Sequence, residues 1–91
     1  MDKQQLEELV DLPDYFIFKI IVDRSDLDLD HFINLAAKAL GRAPDVTKKH
    51  TRASRGGKYQ AHTLHIYVNN MDEIEAVYSA YRGERGVTMV L

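Results

Sequence analysis

The chain has no cysteine and no tryptophan, only two prolines and five glycines, and no apolar run long enough to cross a bilayer. Without cysteine there is no disulfide framework, no thiolate zinc site and no cysteine nucleophile, a composition that fits a reducing compartment. A membrane helix needs roughly 18 or more consecutive apolar residues. The opening Met1-Asp2-Lys3-Gln4-Gln5 also lacks the apolar core of a secretory signal. The expectation is a soluble, non-exported, cytoplasmic protein with no membrane contact. No internal repeat or low-complexity tract interrupts the chain. At 91 residues it suits one domain, residues 1–91, with 1–13 as a short lead-in.

Charge is present in both signs but unevenly placed. Residues 1–30 carry nine acidic and three basic side chains, whereas 42–58 carry six basic ones against Asp45 alone. The net charge of −2 therefore hides an acidic end and a basic strip.

Leu6-Glu7-Glu8-Leu9-Val10 has the makings of a turn or two of helix, which Pro13 must end because the residue before proline is pushed out of the α region. Tyr15 to Val22 is aromatic, β-branched and nearly continuously apolar, which predicts a central strand. Leu29, Phe32, Ile33, Ala36, Ala37 and Leu40 then recur at helical spacing before Gly41 and Pro44, with Asp26 or Asp28 placed to accept from the free amides of the first turn. Val46 to Ala53 carries Lys48, Lys49, His50 and Arg52, as suits an edge strand, and Gly56-Gly57 supplies a tight turn. Tyr59 to Asn69 alternates, with Leu64, Ile66 and Val68 on one side and Tyr59, His65 and Tyr67 on the other. Asn70 is placed to cap a second helix with Glu73 as its capping-box partner. Met71, Ile74, Val77, Tyr78 and Tyr81 form the buried stripe of that helix, Gly83 ends it, and Val87 to Leu91 makes a last short strand.

The order βαββαβ with right-handed crossovers predicts an α+β, two-layer ferredoxin-like sandwich. Its four-stranded antiparallel sheet has the order 4-1-3-2, with both helices on one face and the other face bare. The expected core is Leu29, Phe32, Ile33, Leu40, Phe16, Phe18, Ile20, Leu64, Ile66, Val68, Ile74, Val77 and Met89.

Three segments carry a resemblance to a known family. They are Leu6-Glu7-Glu8-Leu9 through Pro13 to Phe16-Ile17-Phe18-Lys19-Ile20, then Ser54-Arg55-Gly56-Gly57-Lys58-Tyr59 with the strand to Ile66, and the ending Val87-Thr88-Met89-Val90-Leu91. In order and spacing they resemble the YbeD-like proteins, small bacterial proteins of ferredoxin-like fold similar to ACT regulatory domains. The resemblance implies a regulatory role connected with lipoate metabolism. The chain departs from the family at His62, where relatives tend to be apolar, and at an additional Gly56 in the turn. By the same likeness, Asp23-Arg24-Ser25-Asp26-Leu27 stands where ACT domains hold an amino acid. Ser25-Asp26 replaces their usual Pro-Gly, however, and the neighbouring aspartates would repel a carboxylate, which disfavours a ligand there.

Signs of catalysis are poor. Ser25, Ser54 and Ser79 lie in no nucleophile-elbow pattern, and no Gly-rich loop joins a strand to a helix. His62 and His65 are an odd number apart and face opposite ways on a strand, so the histidines read as solvated or edge groups rather than metal ligands. Asp23, Asp26, Asp28 and Asp30 lack the glycine and the bidentate glutamate of a Ca²⁺ loop and read as helix caps. The chain is expected to be no enzyme and to hold no cofactor and no metal.

The basic strip is the most informative feature. If the turn holds two or four residues, paired residue numbers across the hairpin sum to 113 and Lys48 lies opposite His65. Lys48, His50, Arg52, His65 and Tyr67 then share the bare face with Lys19, beside an apolar patch of Ile17, Ile21 and Val90. The expected partner is a protein, met through this face and through Arg55, Gly56, Gly57 and Lys58 of a mobile basic hairpin. The alternative is RNA, because the face resembles that of an RNA-recognition fold, although Lys58-Tyr59-Gln60-Ala61-His62-Thr63 lacks the aromatic spacing of its signature. A bland edge strand kept soluble by lysine is the competing structural account, and a homodimer stays open.

Overall fold

A computed structural model of the chain describes residues 11–91, so the helix expected over residues 6–10 lies outside the described residues. The elements follow the expected order: β1 (Asp14–Val22), α1 (Leu29–Leu40), β2 (Val46–Ala53), β3 (Gln60–Val68), α2 (Met71–Arg82) and β4 (Val87–Val90). The strands form one sheet in the order β2-β3-β1-β4, with every neighbouring pair antiparallel. This is the ferredoxin-like α+β arrangement.

Alternation sorts the residues between the two faces. Phe18, Ile20 and Val22 of β1 and Leu64, Ile66 and Val68 of β3 are fully buried, packed with Phe32 and Ala36 of α1 and Ile74, Val77 and Tyr81 of α2. Aromatic edges organise this core: the Tyr81 ring meets Phe18 at 5.9 Å and Phe32 at 5.3 Å, both in T-shaped contacts. Burial pushes the pKa of the Tyr81 phenol up, and its hydroxyl donates to the Phe32 carbonyl at 2.9 Å, so the polar atom this ring carries into the core is satisfied.

Both helices are capped by side chains, as their sequences indicate. Asp28 accepts from His31 N at 2.9 Å, and Gly41 ends α1 at φ 72°, a left-handed conformation that favours glycine. Asp26, the other candidate cap, instead pairs with Arg24. Asn70 accepts from Glu73 N at 3.0 Å. The reciprocal bond differs from the expected capping box by one residue: Glu73 Oε1 accepts from Asn69 N at 2.8 Å. Arg42, just past α1, draws the Glu73 carboxylate into a two-pronged ion pair, which fixes its reach.

Two expectations need correction. Met89 is half exposed and Val90 packs against the core, the reverse of the expected arrangement. The register explains it, because Val90 pairs with the inward-facing Ile20 and Met89 with the outward-facing Ile21. His62 is also no solvated or edge group, being 1% exposed and set in line with Leu64 and Ile66. Its Nε2 lies 2.6 Å from the Leu27 carbonyl and its Nδ1 2.7 Å from the Thr51 hydroxyl. A carbonyl can only accept, so Nε2 carries the proton, and in the neutral ring Nδ1 accepts from Thr51. With both nitrogens partnered, the imidazole is tolerated in the core. No helix among the described residues is long and apolar enough to cross a membrane.

Candidate interaction face

The face of the sheet away from the helices is laid out in rows across the strands. Tyr15 of β1 pairs with Tyr67 of β3, and their rings meet edge to face at 5.3 Å. The next row is Ile17, His65 and Lys48, the third Lys19, Thr63 and His50, and the fourth Met89, Ile21, Ala61 and Arg52. Leu91 exchanges both backbone hydrogen bonds with Lys19 and so extends the third row to the far edge.

Composition changes along these rows. The β4 and β1 side is apolar, and all four exposed large hydrophobic residues among those described, Tyr15, Ile17, Met89 and Leu91, belong to this face. The β2 side is cationic, with Lys48 and Arg52 flanking His50, and all three side chains are exposed. Beyond them the chain turns through Arg55, Gly56, Gly57 and Lys58. Gly56 at φ 87° and Gly57 at φ 74° adopt the left-handed conformation that only glycine takes readily. Ser54 N donates to the Tyr59 carbonyl at 2.8 Å, and Tyr59 N donates to Ser54 Oγ at 2.9 Å, closing a four-residue turn. The paired numbers sum to 113 from Ala53 with Gln60 down to Lys48 with His65, as the two- or four-residue turn requires. The relation then breaks at a bulge beside Val46.

Lys19, Lys48, His50, Arg52, His65 and Tyr67 thus share one face, and Arg55, Gly56, Gly57 and Lys58 form its hairpin tip. Three neighbours were not anticipated there. Tyr15 has the parity of Ile17 and Lys19 and was legible on that ground, whereas Met89 and Leu91 depend on the β4 register, which four residues of strand do not reveal.

The cations of this face differ from Arg24 and Arg42. Arg24 grips Asp26 through Nε and Nη2 and holds that carboxyl below its usual range, and Arg42 is held by Glu73. No ion pair among the described residues engages Lys48, Arg52, Arg55 or Lys58, although the Lys58 ammonium lies 5.4 Å from the Tyr59 ring. No carboxylate occurs from Val46 to Met71 to compensate them. Among the described residues Asp45 is the acid hydrogen-bonded at this face: its carboxylate accepts from the Tyr15 hydroxyl at 2.8 Å and pushes the pKa of that phenol up.

Two concavities adjoin the hairpin. One of about 300 Å³ has Ile21, Arg52, Ala53, Ser54, Tyr59, Gln60 and Ala61 around it. The other, about 170 Å³, is formed by Val22 to Ser25 with Gly57, Lys58 and Gln60, at the loop where an ACT domain would hold its ligand. There Arg24 is already committed to Asp26, and its side chain, with Leu27, packs so closely over Gly86 that a Cβ at that glycine would lie 2.7 Å from Arg24 Cδ. Among the described residues no group of three or more histidine, aspartate or glutamate side chains is placed to hold a metal ion.

Comparison with known proteins agrees with the resemblance to the YbeD-like family. A UPF0250 protein of Shewanella halifaxensis is 34% identical over 87 residues, covering 96% of each chain. Its counterparts in Shewanella piezotolerans and Shewanella putrefaciens are 32% and 31% identical over the same share. The family model described as "Protein of unknown function (DUF493)" matches residues 7–91, and the chain belongs to that family.

Proposed function

We propose that the protein is a non-catalytic regulatory or interaction module of the bacterial cytoplasm, which meets an acidic protein partner through the helix-free sheet face and the basic hairpin. The observation that carries this reading is the coincidence, on one face, of exposed apolar side chains with cations that have no counter-charge in the described structure. Folding requires neither. An apolar centre with a charged margin is the usual composition of a protein interface, and uncompensated charge at its edge steers encounter. The connection with lipoate metabolism comes from the resemblance to the YbeD-like proteins and suggests where the partner acts.

RNA is the competing ligand for such a surface. Against it stands the Tyr15–Tyr67 pair, the natural stacking platform, whose outer hydroxyl is tied to the Asp45 carboxylate, a group that repels phosphate. The test is affinity capture from the native cell with the intact hairpin and with Arg52, Arg55 and Lys58 reversed to glutamate, followed by association kinetics on the captured partner. The reversal should slow association roughly tenfold or more at low salt and leave thermal stability nearly unchanged. An unaltered rate would reduce the hairpin to a solubilising edge. Capture of nucleic acid, with binding that collapses steeply as salt rises, would transfer the face to the other ligand class.

A further inference from the structure

The fourth row of the bare face contains one small residue, Ala61, between Ile21 on β1 and Arg52 on β2. At this small residue lies the concavity of about 300 Å³, lined by Ile21, Tyr59 and Arg52 among others, with Arg55 and Lys58 in the adjoining turn. That volume lies at the bottom of the range for small-ligand pockets, roughly 300–1,000 Å³, and suits one apolar side chain better than a cofactor. Resting on the reading above, we propose that this slot is the anchor point of the interface, where an acidic segment of the partner protein inserts a single leucine-like or aromatic side chain while its flanking carboxylates meet Arg52, Arg55 and Lys58.

Charge selects this occupant over a second copy of the chain. The same slot on two copies brought face to face would crowd Arg52 and Arg55 against their own images, with no carboxylate between Val46 and Met71 to relieve them. An acidic segment supplies what the rim lacks. The arrangement also fits how interfaces distribute their energy, with a side chain buried in a central pocket contributing most and charges around it setting orientation and encounter rate.

The test uses the full chain labelled for amide NMR and three probes: an acidic peptide with one central leucine, the same peptide with serine in that place, and a single-stranded RNA oligonucleotide. The expected result is saturable shifts at Ile21, Arg52, Ser54, Tyr59 and Ala61 with the leucine peptide, and affinity about tenfold weaker for the serine peptide. Ala61→Leu fills the slot from the solvent side of the sheet, so it should keep the fold and melting temperature and lose about tenfold in affinity for the leucine peptide. Ala61→Ser, which leaves the slot open, should bind as the natural chain does. Acidic peptides that bind this face equally with leucine or serine, and ignore Ala61→Leu, would overturn the slot while leaving the interaction face standing. Binding of RNA and of neither peptide would overturn both.

Discussion

At the scale of single residues, His62 shows how a polar group can belong to a core. Its ring stacks no closer than 5.6 Å to Phe32, so what holds it is the pair of hydrogen bonds to Leu27 and Thr51. The two partners are not equivalent. The Leu27 carbonyl belongs to a buried residue and would be stranded without the imidazole, whereas Thr51 is exposed and can turn to water. His62→Ala should therefore cost about 2–4 kcal/mol, combining a cavity with an unsatisfied carbonyl, and Thr51→Val, which strands only the buried Nδ1, about 1–2 kcal/mol. Urea unfolding of both variants checks this, and equal small losses would contradict the assignment. The strand's period of two places residue 62 beside Leu64, so its direction was legible. Its burial was not, because histidine usually stays near solvent and its stabilising carbonyl lies 35 residues away in the chain. The exchange of Met89 and Val90 has a different origin: a strand of four residues gives alternation too few positions, and an irregularity in pairing between Ile21 and Val22 resets the phase.

At the scale of elements, α1 is tied down at both ends. Leu27, just before it, is bound to β3 through His62, and Arg42, just after it, binds Glu73 at the start of α2 and approaches the Tyr67 carbonyl at 3.5 Å. The Arg42 hydrogen bonds, helped by Asn69 N and against the opposing effect of burial, lower the Glu73 carboxyl from 4.5 to about 2. A carboxyl lowered by folding stabilises the native state fully above its unfolded value, and the benefit disappears as pH falls through its folded value. The loss therefore runs from about pH 4.5 down to about 2. The full shift corresponds to about 3 kcal/mol, and with Arg42 partly open to screening solvent the expected contribution is about 1–2 kcal/mol. Glu73→Gln should lower the melting temperature at pH 7 and flatten its dependence on pH across that window. A variant that loses stability on acidification as steeply as the natural chain would place the acid sensitivity elsewhere. The hairpin, by contrast, was readable in advance because Gly56-Gly57 marks the turn and the turn length fixes the register. The bulge beside Val46 has no comparable marker in the sequence.

At the scale of the whole molecule, one side of the sheet is occupied with folding and the other with none of it. The division follows from strand alternation, which is why most of the candidate face could be drawn from sequence, while its far margin at Met89 and Leu91 needed the pairing of β4. The register of β2 on β3 carries a further consequence, for proton exchange with solvent. Inward hydrogen bonds alternate along an antiparallel edge, so the amides of Lys48, His50 and Arg52 point to β3 while those of Lys49, Thr51 and Ala53 point to open water. In deuterium oxide, neighbours along β2 should fall into two populations, the outward three exchanging at nearly open-chain rates and the inward three at least about tenfold slower. A partner lying on the face leaves this edge untouched, so the alternation should survive complex formation. A partner that added its own strand to β2 would slow the outward three and erase it.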